Sequence, residues 1–438
     1  MTATRPKLLR LAAPAAVLLC LLAVLTLVNR SPSGTSRGSD AGADLSGLDG
    51  GSTDQQIASL QRAVRAEPGR AEGYGLLGDA YLQKARETGD PSFYTRAERS
   101  FDAALRRDAR DVTATVGAGT LANTRHDFRD GLRLGLLAHR LAPALVRPYT
   151  VIADSQIELG RYRTAERTIQ RLVDLKPTLA AYARVSYFRE LSGDLDGAVQ
   201  AMGLAASAGG GTPENTAYVQ TLLGDLELQR GRVTEARRAY REALAGVPGY
   251  PPATAGLAKV DIARDRLAGA ARLLRGASAR LPLTSYLTLL AEVELAAGHH
   301  GAAARELDVV RAQQRLLRSA GARPDAELVV FDATHGYPPA AVRLGRQVWR
   351  AAPSVRSADA LGWALTRAGR PRAGLRWARR ALRLGSRDPL FHFHAGIAAK
   401  AAGERALARR ELALALSLNP AFSPLCSQWA RRALEALR

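Results

Sequence analysis

The 438-residue chain is long enough for two or three ordinary domains or for one elongated array. Apolar residues make up 47% and charged residues 24%; alanine, leucine and arginine dominate, which favours helix over strand and excludes long disorder beyond the first fifty residues. The net charge of +21 comes from 57 Arg and 5 Lys against 41 acidic residues, and residues 339–438 alone hold 19 basic and 5 acidic side chains. Such a field attracts acidic partners or anionic surfaces without specifying nucleic acid. An arginine bias of this size reflects GC-rich coding as readily as it specifies a ligand.

At the N-terminus, Arg5, Lys7 and Arg10 precede an uncharged run from Leu11 to Val28, followed by Asn29 and Arg30. Eighteen residues reach about 27 Å as a helix, near the low end of a bilayer core, and exceed the roughly 7–15 residues of a cleavable signal. No small-x-small cleavage site follows closely, and Leu18-Leu19 before Cys20 does not suit lipoprotein processing. Residues 1–30 are therefore expected to be an uncleaved signal anchor, a transmembrane helix with its N-terminus cytoplasmic and the rest extracytoplasmic. Residues 31–54, rich in Ser, Gly and Asp, read as a flexible tether.

Next comes a capping helix at 55–70, in which Ile57, Leu60, Ala63 and Pro68 reproduce half a repeat unit. The repeat itself fills 71–420, with ten units starting near 71, 112, 146, 179, 217, 251, 284, 322, 355 and 389. The unit from Pro389 carries Ala395-Gly396 at positions 7 and 8, Gly403 at 15, Ala408, Leu412 and Ala415 at 20, 24 and 27, and Pro420 at 32. Leu223, Gly224, Gly231, Ala236, Tyr240, Ala243 and Pro248 repeat the pattern most closely. The first unit has seven extra residues between Tyr81 and Ala97, and Gly209–Gly211 read as a linker. Small residues at 8 and 20 permit close crossing of two helices, glycine near 15 permits the positive φ that ends the first, and proline at 32 stops the second. Residues 421–438 close the array, with Ser423-Pro424 starting a helix to Leu437 whose shared face carries Leu425, Trp429, Ala433 and Ala436.

On these residues the chain resembles the tetratricopeptide-repeat family, as a bacterial membrane-anchored or extracytoplasmic member. The resemblance implies an all-α fold, an α-solenoid coiled as a right-handed superhelix of about ten helix-turn-helix units. It also implies a concave groove lined by first helices, with position 9 facing the ligand. That position reads Asp79, Thr120, Asp154, Tyr187, Asp225, Lys259, Glu292, Val330, Trp363 and Ile397. The expected partner-binding groove is thus Asp79, Asp154, Tyr187, Asp225, Lys259, Glu292 and Trp363, running from acidic to apolar, which suits an extended or helical peptide of mixed character. The Lys and Asn pattern that captures a C-terminal carboxylate in this family is missing from positions 5 and 9.

No nucleophile elbow, Walker loop, dinucleotide fingerprint or metal-ligand spacing occurs in the sequence. Cys20 and Cys426 stand at opposite ends and are not expected to pair. His299 and His300 share an interhelical turn; of His392 and His394, one is expected to pack and the other to face solvent. Arg372, Arg376, Arg379, Arg380 and Arg383 mark a basic second helix in the ninth unit, without the interleaved aromatics of nucleic-acid binders apart from Trp377. The expectation is a non-enzymatic scaffold with no cofactor, no metal, no small-molecule substrate and no nucleic acid, binding a protein or peptide at the extracytoplasmic face of the membrane. A secreted array after signal cleavage, and an accessory factor in metal or envelope homeostasis, remain alternatives.

Overall fold

The computed structural model describes residues 52–209 and 213–438. The expected anchor at 1–30 and nearly all of the tether lie outside these residues, as do Gly210 and Gly211 of the expected linker. Among the described residues there are 22 α-helices, and none is long and apolar enough to cross a membrane.

A first helix, Thr53–Ala66, is held by reciprocal bonds between Ser52 and Gln55 and buries Ile57 and Leu60 against the array. Ten antiparallel pairs follow: Ala71–Thr88 with Ser92–Arg107, Val112–Thr124 with Phe128–Leu141, Arg147–Glu158 with Tyr162–Leu175, Leu179–Glu190 with Leu195–Ser207, and Pro213–Gln229 with Val233–Gly246. The second five are Pro251–Ala263 with Leu267–Arg280, Thr284–Ala296 with His300–Ser319, Ala326–His335 with Pro338–Ala351, Val355–Arg367 with Pro371–Ala381, and Pro389–Ala402 with Arg405–Leu418. The last helix is Cys426–Glu435. Its regular turns start two residues later than the sequence suggests, but Ser423 caps the entry as expected, its Oγ accepting from the Leu425 and Cys426 amides. Its buried face is Cys426, Ala430 and Ala433, with Leu437 just beyond; Ala436 is exposed, contrary to expectation.

The backbone reports the repeat register independently of side-chain matching. Position 15 holds glycine at positive φ in six units: Gly160, Gly193, Gly231, Gly298, Gly369 and Gly403. Two units have His126 and Asp265 there instead, the non-glycine residues found at positive φ (61° and 57°) among the described residues; the first unit turns later, at Gly89 (φ 69°), and in the eighth Gly336 departs from the pattern at φ -123°. In these eight units the helix pair sets the turn geometry, and glycine is the residue that meets it without strain.

Ring side chains at position 24 fill slots between small residues. Tyr240, fully buried, lies between Gly224 of its own unit and Gly256 of the next; a Cβ on Gly224 would sit 2.5 Å from Tyr240 Cε1. Phe101 is held in the same way between Gly78 and Gly117. Each ring thus joins two units, so core burial passes along the array rather than closing within a pair.

The array also returns onto itself. The turn inside unit n meets the link ahead of unit n+6 at several crossings. Gly89 faces Leu281 and Pro282. The Arg323 amide donates to the Arg125 carbonyl (2.9 Å), and its guanidinium pairs with Asp127. The Val355 amide donates to Tyr162 Oη (2.7 Å), and Asn419 Nδ2 donates to the Leu228 carbonyl (3.1 Å). About six units therefore complete one coil, and the second coil rests on the first. Two irregularities serve these crossings. The extra residues of the first unit lengthen its first helix to Thr88, carrying Gly89 to the far side. In the eighth unit, residues 322–325 cross the seam, so its first helix begins only at Ala326, capped by Asp325.

Candidate partner-binding surfaces

First helices line the inside of the coil, and the seven expected groove residues lie on that lining. Asp79 Oδ2 binds Arg147 Nη2 at 2.8 Å. Asp154 takes a two-pronged contact from Arg184, Nη2 to Oδ2 at 2.6 Å and Nε to Oδ1 at 2.8 Å, and the Arg184 side chain is wholly buried. Burial is the larger influence on Asp154 and raises its pKa, with Arg184 opposing. Asp225 accepts from Lys259 Nζ (2.6 Å) and Tyr240 Oη (2.8 Å), which brings two of the expected residues together. Glu292 meets His335 Nε2 (3.2 Å) and accepts from Ser423 Oγ (3.2 Å). Tyr187 and Trp363 are each 1% exposed; Trp363 stacks on His394 with ring centroids 4.3 Å apart.

Asp79, Asp154, Asp225 and Trp363 find these partners within their own coil, and the second coil reaches Tyr187 through Arg356, whereas the Lys259 side chain stays 30% exposed. Arg356, on the first helix of the ninth unit, donates to Glu327 (3.2 Å) and lies against Glu158 and Tyr187 of the first coil. Burial pushes the Glu158 and Glu327 carboxyls up, and a small void of about 40 Å³ remains beside them. The partners Arg147, Arg184, His335, Arg356 and His394 were not foreseen. One signal was present: Asp154 to Arg184, Asp225 to Lys259 and Asp359 to His394 are 30, 34 and 35 residues apart, close to one repeat. Charges of opposite sign at that spacing fall on adjoining first helices.

The histidines also differ from expectation. His394 is buried with Nδ1 2.9 Å from Asp359, and His392 is buried too, with Nδ1 2.7 Å from Glu411 and Nε2 2.6 Å from the Ser386 carbonyl. Neither faces solvent. Among the described residues no three His, Cys, Asp or Glu side chains converge as metal ligands. Cys426 is buried, and burial pushes its thiol pKa up, away from reactivity.

On the outside of the coil one recess stands open. The second helix of the ninth unit has 11 residues, whereas most others have 14; it ends in the 3₁₀ turn Leu382–Leu384 and Gly385 at φ 84°. The missing turn leaves a cleft of about 780 Å³ against Arg405–Leu418, floored by His392 and Ala395. Burial alone would raise the Glu411 pKa, but the bonds from His392 and Arg410 outweigh it and hold the carboxyl below its usual value. The five arginines of the basic helix are exposed but not equivalent. Arg379 binds Glu404 at 2.6 Å, Arg380 lies over the Trp349 and Trp377 rings, and Arg383 over Tyr162 across the seam.

With that geometry in view, a tetratricopeptide-repeat model matches residues 227–293, from the fifth unit into the seventh. Residues 227–293 carry tetratricopeptide repeats. The same helix-pair geometry continues on both sides of the matched residues. No curated protein matches. Among solved structures the array is similar to a chain of the APC/C Cut9–Hcn1 hetero-tetramer, at 14% identity over 87% of this chain and 67% of that one, TM-score 0.48. It is also similar to human IFIT1 dimers, with m7Gppp-AAAA (16% identity, 76% of each chain, TM-score 0.48) and with PPP-AAAA (13%, 84% of this chain and 86% of that one, 0.45). A tetratricopeptide array is a protein-interaction scaffold by fold, and repeat proteins of this kind are generally non-enzymatic. The fold names no ligand.

Proposed function

We propose that this tetratricopeptide array is a non-enzymatic scaffold held at the extracytoplasmic face of a membrane, where it binds a protein or peptide partner. The observation that carries the reading is a run of ten helix pairs among the described residues, behind an apolar N-terminal stretch of sequence with basic residues on its leading side. Protein binding is the use that the repeat fold supports, and the flanking charges favour an anchor with the array outside. Contact through Asp79, Asp154, Tyr187, Asp225, Lys259, Glu292 and Trp363 would begin at Asp225, Lys259 and Glu292, which keep part of their surface, and would have to compete with the internal partners of the others.

The test is protease added to intact cells, followed by crosslinking and pull-down from the membrane fraction. The array is expected to sediment with membranes, to be digested from outside only, and to retain a discrete crosslinked partner. An array protected from external protease would overturn the location. Mature chains in the medium beginning after residue 30 would favour the secreted alternative.

A further inference from the structure

The outer cleft has a chemistry that singles out one kind of occupant. Its floor and one wall are apolar: Leu375 is buried, Leu382 and Leu407 are half-buried, and Leu414 is 37% exposed, unusual for a leucine beside a packed core. Its rim is basic. Arg379, Arg387 and Arg410 line it, and the two carboxylates present are already engaged, Glu404 by Arg379 and Glu411 by His392 and Arg410. Arg387 projects into solvent from the 385–388 loop, and that loop is fixed in place because His392 binds the Ser386 carbonyl. The rim therefore offers cationic donors beyond what its own acids consume, above an aliphatic floor that water covers poorly.

We infer that this cleft docks a peptide segment of a partner protein that places one or two aliphatic side chains between carboxylates. Aliphatic groups would enter over Leu407 and Leu414, while Asp or Glu side chains meet Arg379, Arg387 and Arg410; guanidinium forks suit carboxylates in two-pronged contacts. A volume of about 780 Å³ takes several side chains. A lipid surface fits less well, because the leucines sit in a recess rather than on a protrusion that could enter a bilayer. A nucleic acid fits less well too, since no Phe, Tyr or Trp lines the cleft to stack a base and the His392 ring is buried between Glu411 and the Ser386 carbonyl. The site differs from the inner lining of the array, so it commits the proposed scaffold to an outer-surface contact and rests on that reading.

The experiment uses the full-length chain in phosphatidylcholine nanodiscs and a fluorescein-labelled 12-residue peptide with two leucines among glutamates. Its controls are one peptide with lysine for every glutamate and one with serine for both leucines. Binding is expected for the first peptide alone, weakened at least about tenfold by Arg387→Glu with Arg410→Glu, and separately by Leu414→Asp, an exposed position where folding is spared. Equal binding by wild type and both variants overturns the inference, as does equal binding of the lysine peptide. Loss of phosphatidylglycerol-vesicle binding in the arginine variant, with no peptide binding by wild type, assigns the cleft to lipid and also overturns it. In crosslinking pull-downs, undiminished partner capture by both variants removes the cleft and leaves the scaffold standing. No captured partner even with wild type removes the scaffold.

Discussion

Gly224→Leu is expected to destabilise the array by about 3 kcal/mol, the upper end for overpacking a closed core. A single Cβ at this position already meets Tyr240 Cε1 at 2.5 Å. The ring cannot retreat, because its other face lies against Gly256 and its hydroxyl is tied to Asp225. Two units should loosen together, since Tyr240 belongs to the contact between them. The contrast is Gly276→Ala in the helix Leu267–Arg280, where a Cβ meets nothing within 4 Å. There alanine should stabilise by about 0.5–1 kcal/mol through helix propensity. Thermal or urea unfolding followed by circular dichroism measures both. An unchanged melt for Gly224→Leu would contradict the repeat register.

The second large effect is expected at the buried pair of Asp154 and Arg184. Arg184→Ala leaves a carboxylate without its counter-ion in a closed interior, a change that typically costs about 3–5 kcal/mol. Replacing both, as Asp154→Leu with Arg184→Met, should cost far less or even stabilise, because desolvation of two charges disappears with their attraction. The single variant has a pH signature. Burial already raises the Asp154 pKa in the folded chain, and loss of Arg184 raises it further. A carboxyl whose folded pKa lies above its unfolded value binds protons more tightly when folded. Its contribution to stability is then complete below the unfolded pKa and lost as pH rises through the folded one. Arg184→Ala should therefore be less damaging at pH 4 than at pH 8. Equal damage at both would show that the pair is not what the substitution disturbs.

The repeat was legible in the sequence because it rests on local chemistry. Small residues where helices cross, glycine at the turn and proline at the link each act within one unit. Two of the units without glycine at position 15 keep the turn, with His126 and Asp265 taking positive φ. The relation between coils was not legible. Contacts such as Tyr162 with Val355 span 193 residues and depend on a small rotation per unit that no side-chain pattern states. Nor does the position-9 pattern state that Asp79, Asp154 and Asp225 pair with Arg147, Arg184 and Lys259, or that Arg356 lies against Tyr187. The outer cleft was hidden for a similar reason. It arises where one helix stops a turn early at Gly385, and the run of arginines nearby suggested a uniform basic face. His392 and His394, two apart on one helix, both found buried acids because neighbouring helices pack on two sides of the last unit.

The central claim is that the coil is closed and that a partner is held from outside it. The Arg323 amide donates to the Arg125 carbonyl across the seam (2.9 Å), which makes positions 125 and 323 neighbours at which cysteines can be tried as a lock between the coils. The decisive measurement is partner capture by the Arg125→Cys, Arg323→Cys chain, in a Cys20→Ser background, oxidised and then reduced. Closed coils should cross-link readily, and the locked protein should capture its partner as well as the reduced one does. Capture lost on oxidation and restored by reduction would mean that the coils part to admit the partner, and the account would be wrong.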